Sequence, residues 1–202
     1  MTKDAAATKT SRGPFPLCVD APSLVTSRGL TPLEKNDFSG FDPIRQIELA
    51  SIRRFVGQNR ELLRGRVLDF GAGKPGTCRN PQPYRDLVDP SAEYVPVDIG
   101  DPWFPGGFNT VLCTQVVQYI FWPLTTLREL HNNLVDGGHL ILTYPTSWDE
   151  VEAMDLWRFT KAGMERLLFQ AGFEIVKHER RAEVVLGSFR FPIGYGCIAR
   201  KI

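Results

Sequence analysis

Two glycines with one residue between them, and a carboxylate just ahead, are the residues that most directly invite chemistry. Asp69-Phe70-Gly71-Ala72-Gly73 closes a short apolar run, Arg66 to Phe70, of the kind that forms a buried strand. Glycine lacks Cβ, so the chain can turn sharply there and let a ligand come close to the backbone. Asp98 ends a second such run, Tyr94 to Asp98. A carboxylate accepts several hydrogen bonds, which suits a pair of ribose hydroxyls. Nucleotide-binding units usually separate the turn from the acid by about 20 residues, whereas 98 − 69 = 29 here. The excess lies in Lys74 to Tyr84, a Pro-, Gly- and Asn-rich stretch that reads as an inserted loop. The competing explanations are a glycine pair that merely starts a helix and an aspartate that merely forms a turn before Gly100. A nicotinamide site fits poorly, because Gly76 stands five residues after Gly71, behind Pro75, instead of completing that fingerprint.

The elements that must position these residues follow from periodicity and punctuation. Met1 to Pro43 is polar and turn-rich, a flexible tip followed by a loop-rich arm from Leu17 to Asp42, and residues 44–202 read as one domain. Asp42-Pro43 is a helix start, and apolar residues from Ile44 to Leu63 keep helical spacing, with a bend at Gly57 and a stop at Gly65. Asn109 to Thr114 is a third strand, apolar enough to be buried on both faces. Leu124 to Val135 is an amphipathic helix closed by Asp136-Gly137-Gly138, and His139 to Tyr144 is the next strand. Thr160 caps a helix that ends at Gly172, Phe173 to His178 is a strand, and Gly194 to Ile202 is an antiparallel edge strand. Strands alternating with helices make this an α/β protein, a mostly parallel sheet with helices on both faces.

Taken in order, these pieces resemble the class I S-adenosylmethionine-dependent methyltransferases, and within them the small-molecule, methyltransferase type 11-like group. The resemblance is carried by Val67 to Gly73, Pro83-Tyr84-Arg85, Tyr94 to Ile99, Leu112 to Val116, Glu129-Leu130-His131, Gly137 to Pro145, Trp157 to Thr160 and Ala171-Gly172-Phe173. It implies a Rossmann-like sheet with S-adenosylmethionine across its carboxyl edge. Asp69, Gly71 and Gly73 would lie under the methionine part, Asp98 on the ribose and Ile99 on the adenine. Cys113 to Gln115 would lie beside the sulfonium. The acceptor would be a small molecule, with nitrogen, oxygen or carbon as the accepting atom left open. The alternatives are a fold of this type without methyl transfer, serving as a binding or partner protein, or an enzyme using the same cofactor for other chemistry.

Two departures from that pattern matter. Only nine residues, Ile99 to Gly107, lie between Asp98 and Phe108 at the start of the third strand's apolar run, and a parallel crossover needs about a dozen. One edge strand and its helix are therefore expected to be missing, with Trp103, Phe104 and Pro105 covering the flank that this exposes. A second copy of the chain is the other candidate cover, which makes a homodimer an open expectation. The other departure is Gln118-Tyr119, where many relatives carry Glu-His. A phenol with an ordinary pKa near ~10 is a poor base at neutral pH, so Tyr119 is a candidate for positioning by hydrogen bond as much as for core packing. Tyr144 is the second catalytic candidate, and Trp148, Asp155 and Trp157 are the substrate candidates. Arg158 is read as fixing the start of the following helix. Methyl transfer asks mainly for alignment of nucleophile, methyl and sulfur, so a base is optional.

Bulk properties narrow the field further. A chain of 202 residues with 43% apolar and 23% charged residues buries one sizeable core. A formal charge of +1 creates no general field for nucleic acid or anionic lipid, so no nucleic-acid or membrane partner is expected. No apolar run approaches the ~20 residues of a membrane span, and Met1 to Gly13 lacks the apolar stretch of a signal peptide. Cys18, Cys78, Cys113 and Cys197 are scattered without metal-ligand spacing. No metal is expected, and reduced cysteines suit a cytoplasmic protein.

Overall fold

The computed structural model describes residues 43–73, 82–101, 106–147, 154–186 and 188–202. Six runs become strands: β1 (Arg66–Phe70), β2 (Glu93–Val97), β3 (Phe108–Thr114), β4 (Leu134–Pro145), β5 (Phe173–Leu186) and β6 (Phe189–Lys201). They form one sheet in the order β2-β1-β3-β4-β6-β5. The β1–β2, β1–β3 and β3–β4 pairs are parallel, while β6 runs antiparallel to both neighbours. The carboxyl ends of β1 to β4 therefore all emerge along one edge, and Gly71, Asp98, Gln115 and Thr146 follow them there.

Helices cover both faces because alternate residues of each buried strand point to opposite sides. On one face, α1 (Pro43–Gly57) sets Ile52, Phe55 and Val56 against Val67, Leu112, Ile141 and Ile198. Gly196 lets this helix approach closely, since a Cβ there would stand 2.7 Å from the Phe55 ring. On the other face, α2 (Pro123–Asn133) and α3 (Lys161–Gln170) bury Leu127, Leu130, Met164 and Leu168 against Val111, Leu140 and Leu142. Thr160 caps α3 as its position suggests, its Oγ1 accepting from Gly163 N at 3.0 Å.

The sheet has the shortened edge that the nine-residue connection requires. Among the described residues no strand or helix lies between β2 and β3, and β2 is the outer strand. Glu93 N donates to Gly65 O, and Val97 O accepts from the chain after β1. By alternation, Tyr94 and Pro96 turn their backbone polar groups outward. Pro96 has no N–H to offer, which blunts this edge against pairing with another strand. Trp103, Phe104 and Pro105, expected to cover the flank, lie outside the described residues, as do the N-terminal arm, most of the inserted loop and Trp148.

Four element expectations need correction. α1 ends at Gly57 instead of bending there, and the chain continues through a turn over Arg60–Leu62 before Gly65, at φ +67°, starts β1. α2 stops at Asn133 because Leu134 turns extended, is buried and pairs with Phe108. The Asp136 to Gly138 segment then bulges within β4 before regular pairing resumes at His139. β6 is an inner strand, not an edge. β5 is the edge, and it runs past His178 to Leu186 as a long hairpin partner of β6.

Candidate functional site

The turn after β1 is shaped by its neighbours as much as by its glycines. Gly71 N and Ala72 N both donate to Val97 O, at 2.7 and 3.1 Å, which ties the turn to the end of β2. Gly71 (φ +81°) and Gly73 (φ +76°) both lie in the left-handed region. At Gly71 a Cβ would come within 2.2 Å of Val116 Cγ2, so no larger residue fits without displacing the loop after β3.

Asp69 stands directly beneath this turn and is only 2% exposed. Burial pushes its carboxyl up to about 7, against the opposing pull of the Tyr94 hydroxyl, which donates to Asp69 Oδ2. A carboxylate kept this dry stays ionised at little cost only when a cation or further donors reach it. Tyr84, from the Pro83-Tyr84-Arg85 segment, is buried beside it and donates to Thr114 Oγ1 at 2.9 Å. Cys113 ends in the core, and burial followed by the nearby Asp69 charge pushes its thiol up to about 12, so it supplies no thiolate.

Asp98 follows β2 in a tight turn. Its Oδ1 accepts from Ile99 N at 2.9 Å, its own N donates to Asp101 Oδ2 at 2.9 Å, and Gly100 takes φ +94°. Ile99 is 41% exposed, an apolar side chain left open beside the shortened flank. At the end of β3, Gln115 takes φ +57°, alone among the described non-glycine residues in the left-handed region, and its N donates to Thr143 O at 3.0 Å. A short helical turn, Val117–Tyr119, then leaves Tyr119 half-buried and Gln118 buried.

The structure thus gathers Asp69, Gly71, Gly73, Asp98, Ile99, Cys113 and Gln115 at the ends of three adjacent parallel strands. It treats the other candidates differently. Tyr144 is fully buried among the residues facing α3, stacked on Tyr195 with ring centroids 5.8 Å apart. Its hydroxyl donates to His178 Nε2 at 2.7 Å, and His178 Nδ1 donates to Glu165 Oε1 at 2.9 Å. Burial raises the phenol above its usual value and lowers the imidazole, so both stay neutral near pH 7. That committed hydroxyl leaves Tyr144 without an opening as a base. Asp155 is also buried and takes a two-pronged contact from Arg158, at 2.5 and 2.7 Å. Trp157 is 43% exposed, and its Nε1 donates to Ile120 O at 2.9 Å, pinning this segment to the loop after β3. Tyr94, Tyr84 and Val116 act on the site and went unrecognised in the sequence. Only the alternation that puts Tyr94 on the Asp69 face of the neighbouring strand hinted at one of them.

A profile of the family described as "Methyltransferase domain" matches residues 41–178. The chain belongs to that family. S-adenosylmethionine is the cofactor that goes with it, and the glycine turn, the dry carboxyl of Asp69 and the acid at the end of β2 are chemically suited to the ammonium group of its amino-acid part and to its ribose. No curated protein matches the sequence.

Solved structures share the fold at low identity. One is the Burkholderia thailandensis 1,6-didemethyltoxoflavin-N1-methyltransferase with its substrate and S-adenosylhomocysteine bound. It is 19% identical, with 81% of this chain and 84% of that one covered and a TM-score of 0.54. Another is the magnesium protoporphyrin IX methyltransferase of Synechocystis with bound S-adenosylmethionine, at 13% identity, 80% and 85% coverage and a TM-score of 0.54. A third, the [4+2]-cyclase SpnF, is 18% identical over 76% of this chain and 81% of that one, with a TM-score of 0.51. The fold by itself thus does not name the reaction. Among the described residues no helix is long and apolar enough to cross a membrane.

Proposed function

We propose that this methyltransferase domain moves the methyl group of S-adenosylmethionine to a neutral or anionic atom of a small molecule. The observation that carries the reading is the buried Asp69 carboxyl beneath a turn where Gly71 admits no side chain. An ionised carboxylate in such a place is costly alone and favourable beside a cation, which is what the amino-acid end of the cofactor provides. Asp69, Gly71 and Gly73 hold that end, Asp98 takes the ribose hydroxyls, and Ile99 packs on the adenine. Gln115 flanks the sulfur, with Cys113 in the core behind it.

The bound cofactor supplies an electrophilic methyl carbon: a lone pair of the acceptor bonds to it while the carbon–sulfur pair returns to sulfur. The acceptor's proton, where it has one, leaves to water or buffer. The protein's part is alignment and exclusion of water, worth more here than a base. Tyr119, Asp155 and Trp157 border the acceptor side, with Tyr119 as a hydrogen-bonding positioner, and Trp148 is the remaining substrate candidate. Asp155 acts through its clasp with Arg158, which fixes the segment leading into α3. Tyr144 braces β4 against α3 through His178 and does not touch the acceptor. A second copy covering the flank of β2 docks by side-chain packing, since Pro96 blocks strand pairing.

The test is incubation with methyl-labelled S-adenosylmethionine and a panel of amines, phenols, carboxylic acids and lactams, following S-adenosylhomocysteine release. Acceptor-dependent release supports the reading. Tight cofactor binding without release for any acceptor class favours the rival in which the fold binds without transferring.

A further inference from the structure

Two amides meet at the loop after β3, and neither is fully satisfied. Gln118 Nε2 donates to Gln115 O at 3.0 Å and approaches Gln115 Oε1 at 3.5 Å. Gln115 Nε2 and Gln118 Oε1 are both buried and have no partner. Gln118 is 2% exposed, so water does not freely compensate. Turning over either amide fails to repair this. Reversing Gln118 would set oxygen against the Gln115 carbonyl, and reversing Gln115 would set one NH2 group against another. Gln115 also adopts its left-handed backbone here, an arrangement that persists where surrounding structure enforces it. Between the two amides in sequence stands Val116, the residue that fills the space over Gly71. The pair therefore adjoins the cofactor turn. Leu156 N donates to Gln118 O at 2.8 Å, which holds the Asp155–Trp157 segment against the same loop.

Resting on the methyl-transfer reading above, we propose that Gln115 and Gln118 select the acceptor, a neutral molecule presenting a hydrogen-bond donor and acceptor side by side, as a carboxamide, lactam or ring N–H/C=O edge does. The lone Nε2–H group of Gln115 asks for an acceptor and the lone Oε1 of Gln118 for a donor. A carboxylate would set oxygen against Gln118 Oε1, and an ammonium would set hydrogens against Gln115 Nε2, so each matches only half of the pair. No charged group takes part in the hydrogen bonds of these two side chains. A site built to bond both halves of a ligand rejects an analogue that lacks one, because the buried partner is then stranded.

The probe is 2-pyridone, a small lactam, against N-methyl-2-pyridone, which has lost the donor, and benzoate, which carries only acceptors. Each is titrated by calorimetry into protein saturated with S-adenosylhomocysteine. The expected result is that 2-pyridone binds at least ~tenfold more tightly than either of the others. Gln118→Met, close in size and without polar hydrogen-bonding, abolishes that preference while S-adenosylhomocysteine still binds, which also shows that the variant is folded. Gln118→Glu, which keeps the acceptor oxygen, is the second variant and still binds 2-pyridone more tightly than N-methyl-2-pyridone. Equal binding of the three probes, no binding of 2-pyridone, a preference that survives in Gln118→Met, or a Gln118→Glu protein that favours N-methyl-2-pyridone overturns the proposal. Failure of S-adenosylhomocysteine itself to bind overturns the methyltransferase reading and this proposal with it, a result distinct from the others.

Discussion

Cofactor affinity should titrate with Asp69. Its carboxyl is pushed up to about 7 by burial, so about half of the free sites are ionised at neutral pH and about one in eleven a unit lower. If the cationic cofactor binds the carboxylate form, its apparent affinity falls ~fivefold from pH 7 to pH 6 and a further ~tenfold to pH 5, the slope of a single linked proton. Near the midpoint each binding event also releases about half a proton, measurable by calorimetry in buffers of different ionisation enthalpy. Asp69→Asn serves as the reference, because it removes this titration but leaves any titration of the ligand itself. The predicted outcome is a steep profile in the natural protein and a shallow one in the variant. A flat affinity between pH 5 and pH 7, or the same slope in Asp69→Asn, refutes the assignment of Asp69 to the cofactor's cationic end.

The same carboxyl makes opposite demands on the empty protein. Its pKa is raised from 3.8, so its contribution to folding is full below the unfolded value and is lost as pH rises through about 7. Asp69→Asn should therefore raise the Tm of the ligand-free protein at pH 8, by as much as ~4 kcal/mol of stability, while weakening cofactor binding. Tyr94→Phe removes the hydroxyl that favours the ionised form and should move the affinity profile toward higher pH, read by the same calorimetry. Gly71→Ala combines a left-handed backbone, ~1–2 kcal/mol, with a collision against Val116, and should abolish cofactor binding and lower Tm. Tyr144→Phe should cost about 1 kcal/mol of stability through the lost His178 contact, with S-adenosylhomocysteine affinity unchanged in calorimetry.

Local signals carried much of this structure. β1 was legible residue for residue because an apolar run sits between Gly65 and Gly71, and α3 because Thr160 and Gly172 bracket it. The missing edge strand could be read as simple chain reach, nine residues being too few for a crossover. Features set by pairing were not legible. The strand read over Phe173 to His178 continues to Leu186 because it pairs with β6, and its outer charges are paired as Lys177–Glu179 and Arg180–Glu183. The inner position of β6 depends on which strands meet, and no local pattern encodes that. The Asp69–Tyr94 contact and the Gln115–Gln118 pair arise from register and from an unusual backbone angle, so their residues were visible while their meetings were not. His178, which offered no chemistry in sequence, became the partner of Tyr144 only once β4 and β5 were folded against α3.

The central claim is that the turn after β1 holds S-adenosylmethionine, and direct titration of the full chain with S-adenosylmethionine and S-adenosylhomocysteine at neutral pH tests it most squarely. Saturable one-to-one binding of both is predicted, weakened at least ~tenfold, or about 1.4 kcal/mol, by Asp98→Ala. Absence of heat for either ligand up to millimolar concentration would contradict the account.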